Sequence, residues 1–186
     1  MNTSLPTQNR REFLKKSILA FGGVLMLPSC LKNYTPFVFL TPDEALLLVQ
    51  ICEQIIPADS NGPGATQAGV VYYIDKQLHE VFHDQQLTYR NGLKAFEETC
   101  KGLHQKGFEE LSWDEQHAFL TRMEQNQLPG QYWEEHSAQG FFNTMIRHTM
   151  QGFYGSPRHG GNKDYMSYRM IRLDYPYVIG RNLYRD

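Results

Sequence analysis

Apolar residues recur at intervals of three and four along most of the chain, the period of a helix with one buried face. The first such stripe, Leu47, Leu48, Ile51, Ile55 and Ile56, follows Thr41-Pro42-Asp43-Glu44. There Thr41 suits an N-cap, Pro42 the first helical position, and Glu44 completes a capping box; Pro57 stops the run. Asp59 to Ala65 is a loop rich in Gly and Pro. A second stripe (Val70, Val71, Tyr73, Ile74, Leu78, Val81, Phe82) predicts a helix from Thr66 to about Asp84, and a third (Tyr89, Leu93, Phe96, Cys100) one from Leu87 to Lys106. Gly107-Phe108 breaks that run, and Ser112-Trp113-Asp114-Glu115 is a second capping box, opening a helix through about Asn126 that Pro129-Gly130 ends. A further stripe, Trp133, Phe141, Phe142, Met145, Ile146 and His148 or Thr149, predicts a fifth helix from Tyr132 to Met150. From Gly152 on, glycines, prolines and tyrosines replace the stripe and no regular element is evident. No alternating strand pattern occurs, so the prediction is an all-α compact domain of about five helices over residues 41–186, with an irregular Gly/Tyr-rich C-terminal tail.

The first thirty residues have a different organisation. Arg10, Arg11, Lys15 and Lys16 precede an apolar stretch from Ile18 to Leu27, and Leu27-Pro28-Ser29-Cys30 follows, the three-part order of an export signal. Arg10-Arg11 with Phe13 and Leu14 resembles the twin-arginine motif, a route that carries folded proteins. Leu27 to Cys30 resembles a lipobox, which predicts removal of residues 1–29, a lipid on Cys30 and a tether over residues 30–40; ordinary cleavage nearby, with Cys30 a bystander, is the other reading. The apolar run from Ser17 to Pro28 is shorter than the ~20 residues a spanning helix needs. The prediction is an exported, periplasmic, membrane-anchored lipoprotein.

Composition narrows the function classes. The 186 residues carry 18 Lys+Arg against 20 Asp+Glu, and the 157 residues after position 29 carry 14 against 19. A mildly acidic chain without a basic block offers no footprint for nucleic acid. Outside the cytosol the remaining thiols, Cys52 and Cys100, suit one disulfide; two small buried hydrophobes on different helices is the alternative.

Candidate chemistry is sparse. His79-Glu80-Val81-Phe82-His83 is a literal H-E-x-x-H, which on a continuous helix sets two imidazoles one turn apart beside a Glu, the arrangement of a zinc hydrolase. No extended form with a third His follows, and a solvated helix end accounts for the same residues. The acid pairs Glu97-Glu98, Glu109-Glu110 and Glu134-Glu135 point in different directions on a helix and read as solvated faces. Nucleophile elbow, P-loop, dinucleotide fingerprint and C-x-x-C-H are all missing, so no cofactor is expected on this chain. The stretch Gly152-Phe153-Tyr154-Gly155-Ser156-Pro157-Arg158-His159-Gly160-Gly161-Asn162 combines backbone freedom with aromatic and basic groups, a composition suited to recognition or to a turn that packs the tail on its own helices. Phe153, Tyr154, Arg158 and His159, with Gly160, Gly161 and Asn162, are therefore the candidate partner-binding residues.

Several pieces in order resemble the gluconate 2-dehydrogenase subunit 3 family over most of residues 41–176. They are Ile55 to Asp59, Gly62 to Ala65, Ala68-Gly69-Val70, Tyr73-Ile74-Asp75, Tyr89 to Leu93, Gly107-Phe108 with Leu111, and Tyr154 to Pro157 leading into Gly160-Gly161-Asn162. The chain departs from the family's tail at Tyr168, where Trp is usual, and at Asp174, where Gly is usual. The resemblance implies a small subunit without a redox centre that binds a FAD-carrying (GMC-type) dehydrogenase large subunit and helps it leave the cell, with a cytochrome c subunit as electron acceptor. A zinc-dependent hydrolase and a stand-alone envelope scaffold are the alternatives from other classes.

Overall fold

The computed structural model describes residues 37–133 and 137–173. The export leader with Arg10, Arg11, Phe13 and Leu14, the lipidation candidate Cys30, Glu134-Glu135 and the tail from Asp174 on lie outside the described residues. The described residues belong to one compact unit that starts at Phe37.

Among the described residues there are six α-helices and no strand. Helix α1 (Pro42–Ile55) starts as predicted: Thr41 Oγ1 accepts from the Glu44 amide while the Glu44 carboxylate accepts from the Thr41 amide, satisfying two amides that a helix start leaves without partners. Helix α2 (Val70–Glu80) begins later than the periodicity predicts, because residues 65–69 form turns and Gly69, at φ 70°, is the N-cap. Helix α3 (Gln86–His104) is the longest. Helix α4 (Trp113–Glu124) opens on the predicted capping box at Ser112 and Glu115.

Helix α5 (Ala138–Tyr154) differs from its prediction at both ends. Ser137 caps it through the Gly140 amide, and Trp133 lies ahead of it, donating its indole N–H to Thr99 Oγ1 on α3 at 3.0 Å. At the other end α5 runs straight through Gly152. A β-carbon there would stand 2.9 Å from the Tyr73 ring, so the glycine is a packing contact with α2 and not a helix stop. The tail is not wholly irregular either. Short 3-10 turns at Pro157–His159 and Lys163–Tyr165 lead into a sixth helix, α6 (Met166–Met170).

Helix α5 packs against α1, α2, α3 and α4, which makes it the centre of the core. Its buried face carries Phe141, Met145 and Phe153. A cluster of Phe96, Phe108 and Phe119, with ring centroids 5.0 to 5.9 Å apart and edges turned to faces, fills the space between α3 and α4. Burying each ring contributes about 1.5–3 kcal/mol. None of the described helices is long and apolar enough to cross a membrane.

Candidate functional site

The glycine-rich stretch singled out in the sequence folds back onto the helices as a small module. Gly155 ends α5, and the chain turns through residues 156–162 to lie on the backbone of that same helix. The approach is so close that a β-carbon on Gly161 would overlap the Gly152 carbonyl oxygen. Gly160 sits at φ 104°, a conformation that side chains with a β-carbon rarely adopt, and it packs on the Tyr72 carbonyl. Asn162 closes the loop: its amide donates to Gly155 O at 2.8 Å and its carbonyl accepts from the Ser167 N–H at 2.9 Å. The Lys163 N–H donates to Ala68 O at 3.0 Å and ties the module to the turn before α2. Between these segments lies an open cleft of about 560 Å³ whose lining includes Thr66, Gln67, Tyr72, Pro157, Gly160 and Lys163.

The predicted contact residues divide accordingly. Phe153, Gly161 and Asn162 are buried and act in folding, which corrects the expectation that they face a partner: the Phe153 ring belongs to the core, and the Asn162 amide is consumed by the loop it closes. Tyr154 is 41% exposed and stands edge-on to Phe153 at 4.9 Å. Arg158 is exposed and donates from Nε to His159 Nε2 at 3.0 Å; Gly160 is half-buried.

A second arrangement had no sequence signal pointing to it. The Asp75 carboxylate on α2 accepts the backbone N–H groups of Val38, Phe39 and Leu40 at 2.8, 2.9 and 2.8 Å. The Arg90 guanidinium on α3 binds Phe39 O and Glu44, and lies 4.3 Å above the Phe39 ring centroid. Phe37 then stacks on Tyr72, at 5.2 Å, on the rim of the cleft. Residues 37–40, the end of the predicted tether, are thus a strap clamped to the helices. Three donors converge on one carboxylate over 35 to 37 positions of separation, a juxtaposition no local pattern encodes.

The core holds a third polar group. The Tyr89 hydroxyl and His148 Nδ1 share a hydrogen bond of 2.8 Å, and the imidazole stacks on Phe82 at 4.7 Å. Burial, aided by the nearby Arg147 charge, lowers the His148 pKa from 6.5 to about 4, and burial raises that of Tyr89. With exposures of 2% and 0%, both side chains are sealed from any solute and serve the packing.

The candidate disulfide is corrected: Cys52 and Cys100 are free, buried thiols. Cys52 Sγ sits 3.2 Å from Thr149 Oγ1, and burial pushes both thiol pKa values up to about 12, where they are poor nucleophiles. The zinc alternative also loses its scaffold. Helix α2 ends at Glu80, Val81 leaves the helical conformation, and His83 begins a 3-10 turn whose preceding residue, Phe82, is turned inward onto His148. The two imidazoles therefore do not share a helix face; Glu80 pairs with Lys76 at 3.9 Å, and His83 Nδ1 lies 3.4 Å from Gln86 Nε2. Among the described residues no three His, Cys, Asp or Glu side chains stand together as a metal site.

Fold and site together define an all-helical domain whose last long helix carries a tightly moulded glycine-rich module with an exposed Tyr154 at its start. The family model for gluconate 2-dehydrogenase subunit 3 matches residues 42–174, from the first residue of α1 to just past α6, and the chain belongs to that family. No curated protein and no solved structure matches the chain. Membership makes it the small-subunit type of a gluconate dehydrogenase complex and implies a dehydrogenase as its partner.

Proposed function

We propose that the chain is a non-catalytic small subunit that binds a FAD-dependent, GMC-type gluconate or sugar dehydrogenase large subunit and assists its folding and export to the periplasm. The observation that carries this reading is the family match over residues 42–174. The twin-arginine-like leader supports it, because that route moves cargo already folded, and a lipid on Cys30 would hold the assembly at the membrane. A cytochrome c subunit takes the electrons in such an assembly.

The docking surface centres on α5, where Met150 and Tyr154 stand one turn apart, 43% and 41% exposed. Tyr154 is an apt anchor: it combines large contact area with a hydroxyl, and its contact with Phe153 sets its orientation before binding. His159, held by Arg158, supplies a polar rim. Replacing Tyr154 and His159 together with Ala removes a central aromatic contact worth about 2 kcal/mol or more, a loss of affinity of at least about thirtyfold. Co-purification of the large subunit should fall accordingly while the helical content of the chain stays constant. Undiminished recovery would overturn the assigned surface.

A further inference from the structure

We propose that the C-terminal module is also a membrane-contact surface, laying a basic face on anionic lipid headgroups beside the anchor. The first observation is a division of charge. Residues 157–172 carry four basic side chains, Arg158, Lys163, Arg169 and Arg172, against the single acid Asp164, whereas residues 37–156 carry seven basic against sixteen acidic ones. All four basic residues are exposed. The module is the positive pole of an otherwise negative domain.

Position supplies the second observation. The strap held by Asp75 delivers the chain to Phe37, stacked on Tyr72, and Tyr72 lines the same cleft as Lys163. From Lys163 the chain passes through one 3-10 turn into the five residues of α6, about 8 Å long, so Arg169 and Arg172 stay within about two helical turns of the cleft. Only residues 31–36 separate Cys30 from Phe37, and seven extended steps span at most about 25 Å. A lipid at Cys30 therefore keeps the basic pole close to the bilayer, whereas a free chain end would leave it anywhere.

The third observation is composition at the pole. Tyr72, Met170 and Ile171 are exposed among these charges, Ile171 at 53%, the mixture that settles at a headgroup boundary. A lipobox cysteine carries a diacylglyceryl group that holds the chain at the bilayer, and a basic patch beside it adds attraction to anionic headgroups that fixes which face meets the surface. The surface thus orients a domain that the lipid attaches. This inference rests on the anchored reading of Cys30 for its place in the cell, but its chemistry is testable without lipid and without the dehydrogenase.

The test uses the mature chain from residue 30, produced without its leader and so unlipidated, mixed with vesicles of phosphatidylglycerol and phosphatidylethanolamine or of phosphatidylcholine alone. Sedimentation should show partitioning into the anionic vesicles that weakens steeply as salt is raised toward about 0.5 M, where screening is short-ranged. Neutralising Lys163→Gln, Arg169→Gln and Arg172→Gln together should lower the partition coefficient about a hundredfold, at about fivefold per basic group. Neutralising Lys94, Lys101 and Lys106, mostly on α3, removes as much charge elsewhere and should leave it nearly unchanged. Equal binding to neutral vesicles, salt-independent binding, or the same loss from both triple variants would overturn the proposal. So would a module variant that keeps its vesicle binding but loses the large subunit, since the face would then belong to the protein partner. Tyr154 and His159 are intact in these variants, so failure here leaves the large-subunit reading to its own test. The lipid and salt comparisons on the unaltered chain decide the matter even where a variant misfolds.

Discussion

Asp75→Asn isolates the strap. The substitution keeps the size of the side chain and one acceptor oxygen for the Phe39 and Leu40 N–H groups, but removes the charge and sets an NH2 group against the Val38 N–H. A charge-assisted hydrogen bond contributes about 1.5–3 kcal/mol, so losing one and reducing the other two to neutral bonds takes about 3 kcal/mol from the hold on the strap. What remains to resist release is the burial of Leu40, worth about 2 kcal/mol, and the Arg90 contacts to Phe39. A shift of about 3 kcal/mol in the local opening equilibrium follows, which is about two orders of magnitude in the open population. The helices stay packed in the open form, so the thermal midpoint should move by only a few degrees. Chymotrypsin reads the opening directly, because Phe37 and Phe39 are cleavage sites inside the strap, and cleavage slower than reclosing tracks the open population. Cleavage at Phe39 about a hundredfold faster in Asp75→Asn, with the helical core uncut, is the expected result. A rate within threefold of the parent would show that the carboxylate does not hold the strap.

Other consequences are as direct. His148 is neutral and buried, with a pKa lowered from 6.5 to about 4, so the unfolded chain takes up its proton first as the pH falls. The stability it lends is complete above about 6.5 and is lost as the pH drops toward 4, about 3 kcal/mol over that interval. Urea midpoints should fall across this window, and by visibly less in His148→Phe; identical slopes would refute the assignment. In a Cys30→Ser chain in denaturant, thiol titration should count Cys52 and Cys100 as two reactive groups, while the folded chain reacts slowly; a count of neither in denaturant would restore the disulfide. Gly161→Ala forces a methyl group against the Gly152 carbonyl and should cost about 1–3 kcal/mol in thermal or urea unfolding, with loss of large-subunit recovery; a melt unchanged from the parent would contradict the close packing.

What the sequence made legible was what it encodes within one turn. The capping boxes at Thr41-Glu44 and Ser112-Glu115 form as predicted because donor and acceptor are three residues apart, and the apolar stripes of α1 and α3 return as buried faces. The misreadings arise where a distant contact overrules the local rule. Gly152 reads as a breaker in isolation but is the only residue that lets the Tyr73 ring lie against α5. The stripe through Val81 and Phe82 continues the helical period, yet Phe82 leaves the helix to stack on His148, and this ends the H-E-x-x-H idea. Phe153 and Asn162 were assigned outward because aromatic and polar groups in a glycine-rich stretch suit recognition; in place, one fills the core and the other fastens the loop. The Asp75 clamp was invisible because its partners are more than thirty residues away.

The central claim is that this chain works by holding an oxidoreductase. Isolation of the tagged chain from its own envelope, followed by identification of what accompanies it and where the flavin resides, tests this most directly. A dehydrogenase large subunit recovered in fixed ratio, carrying all of the flavin, is the predicted result. A chain that comes away alone, or that keeps flavin or turns over a sugar once stripped of every companion, would contradict it.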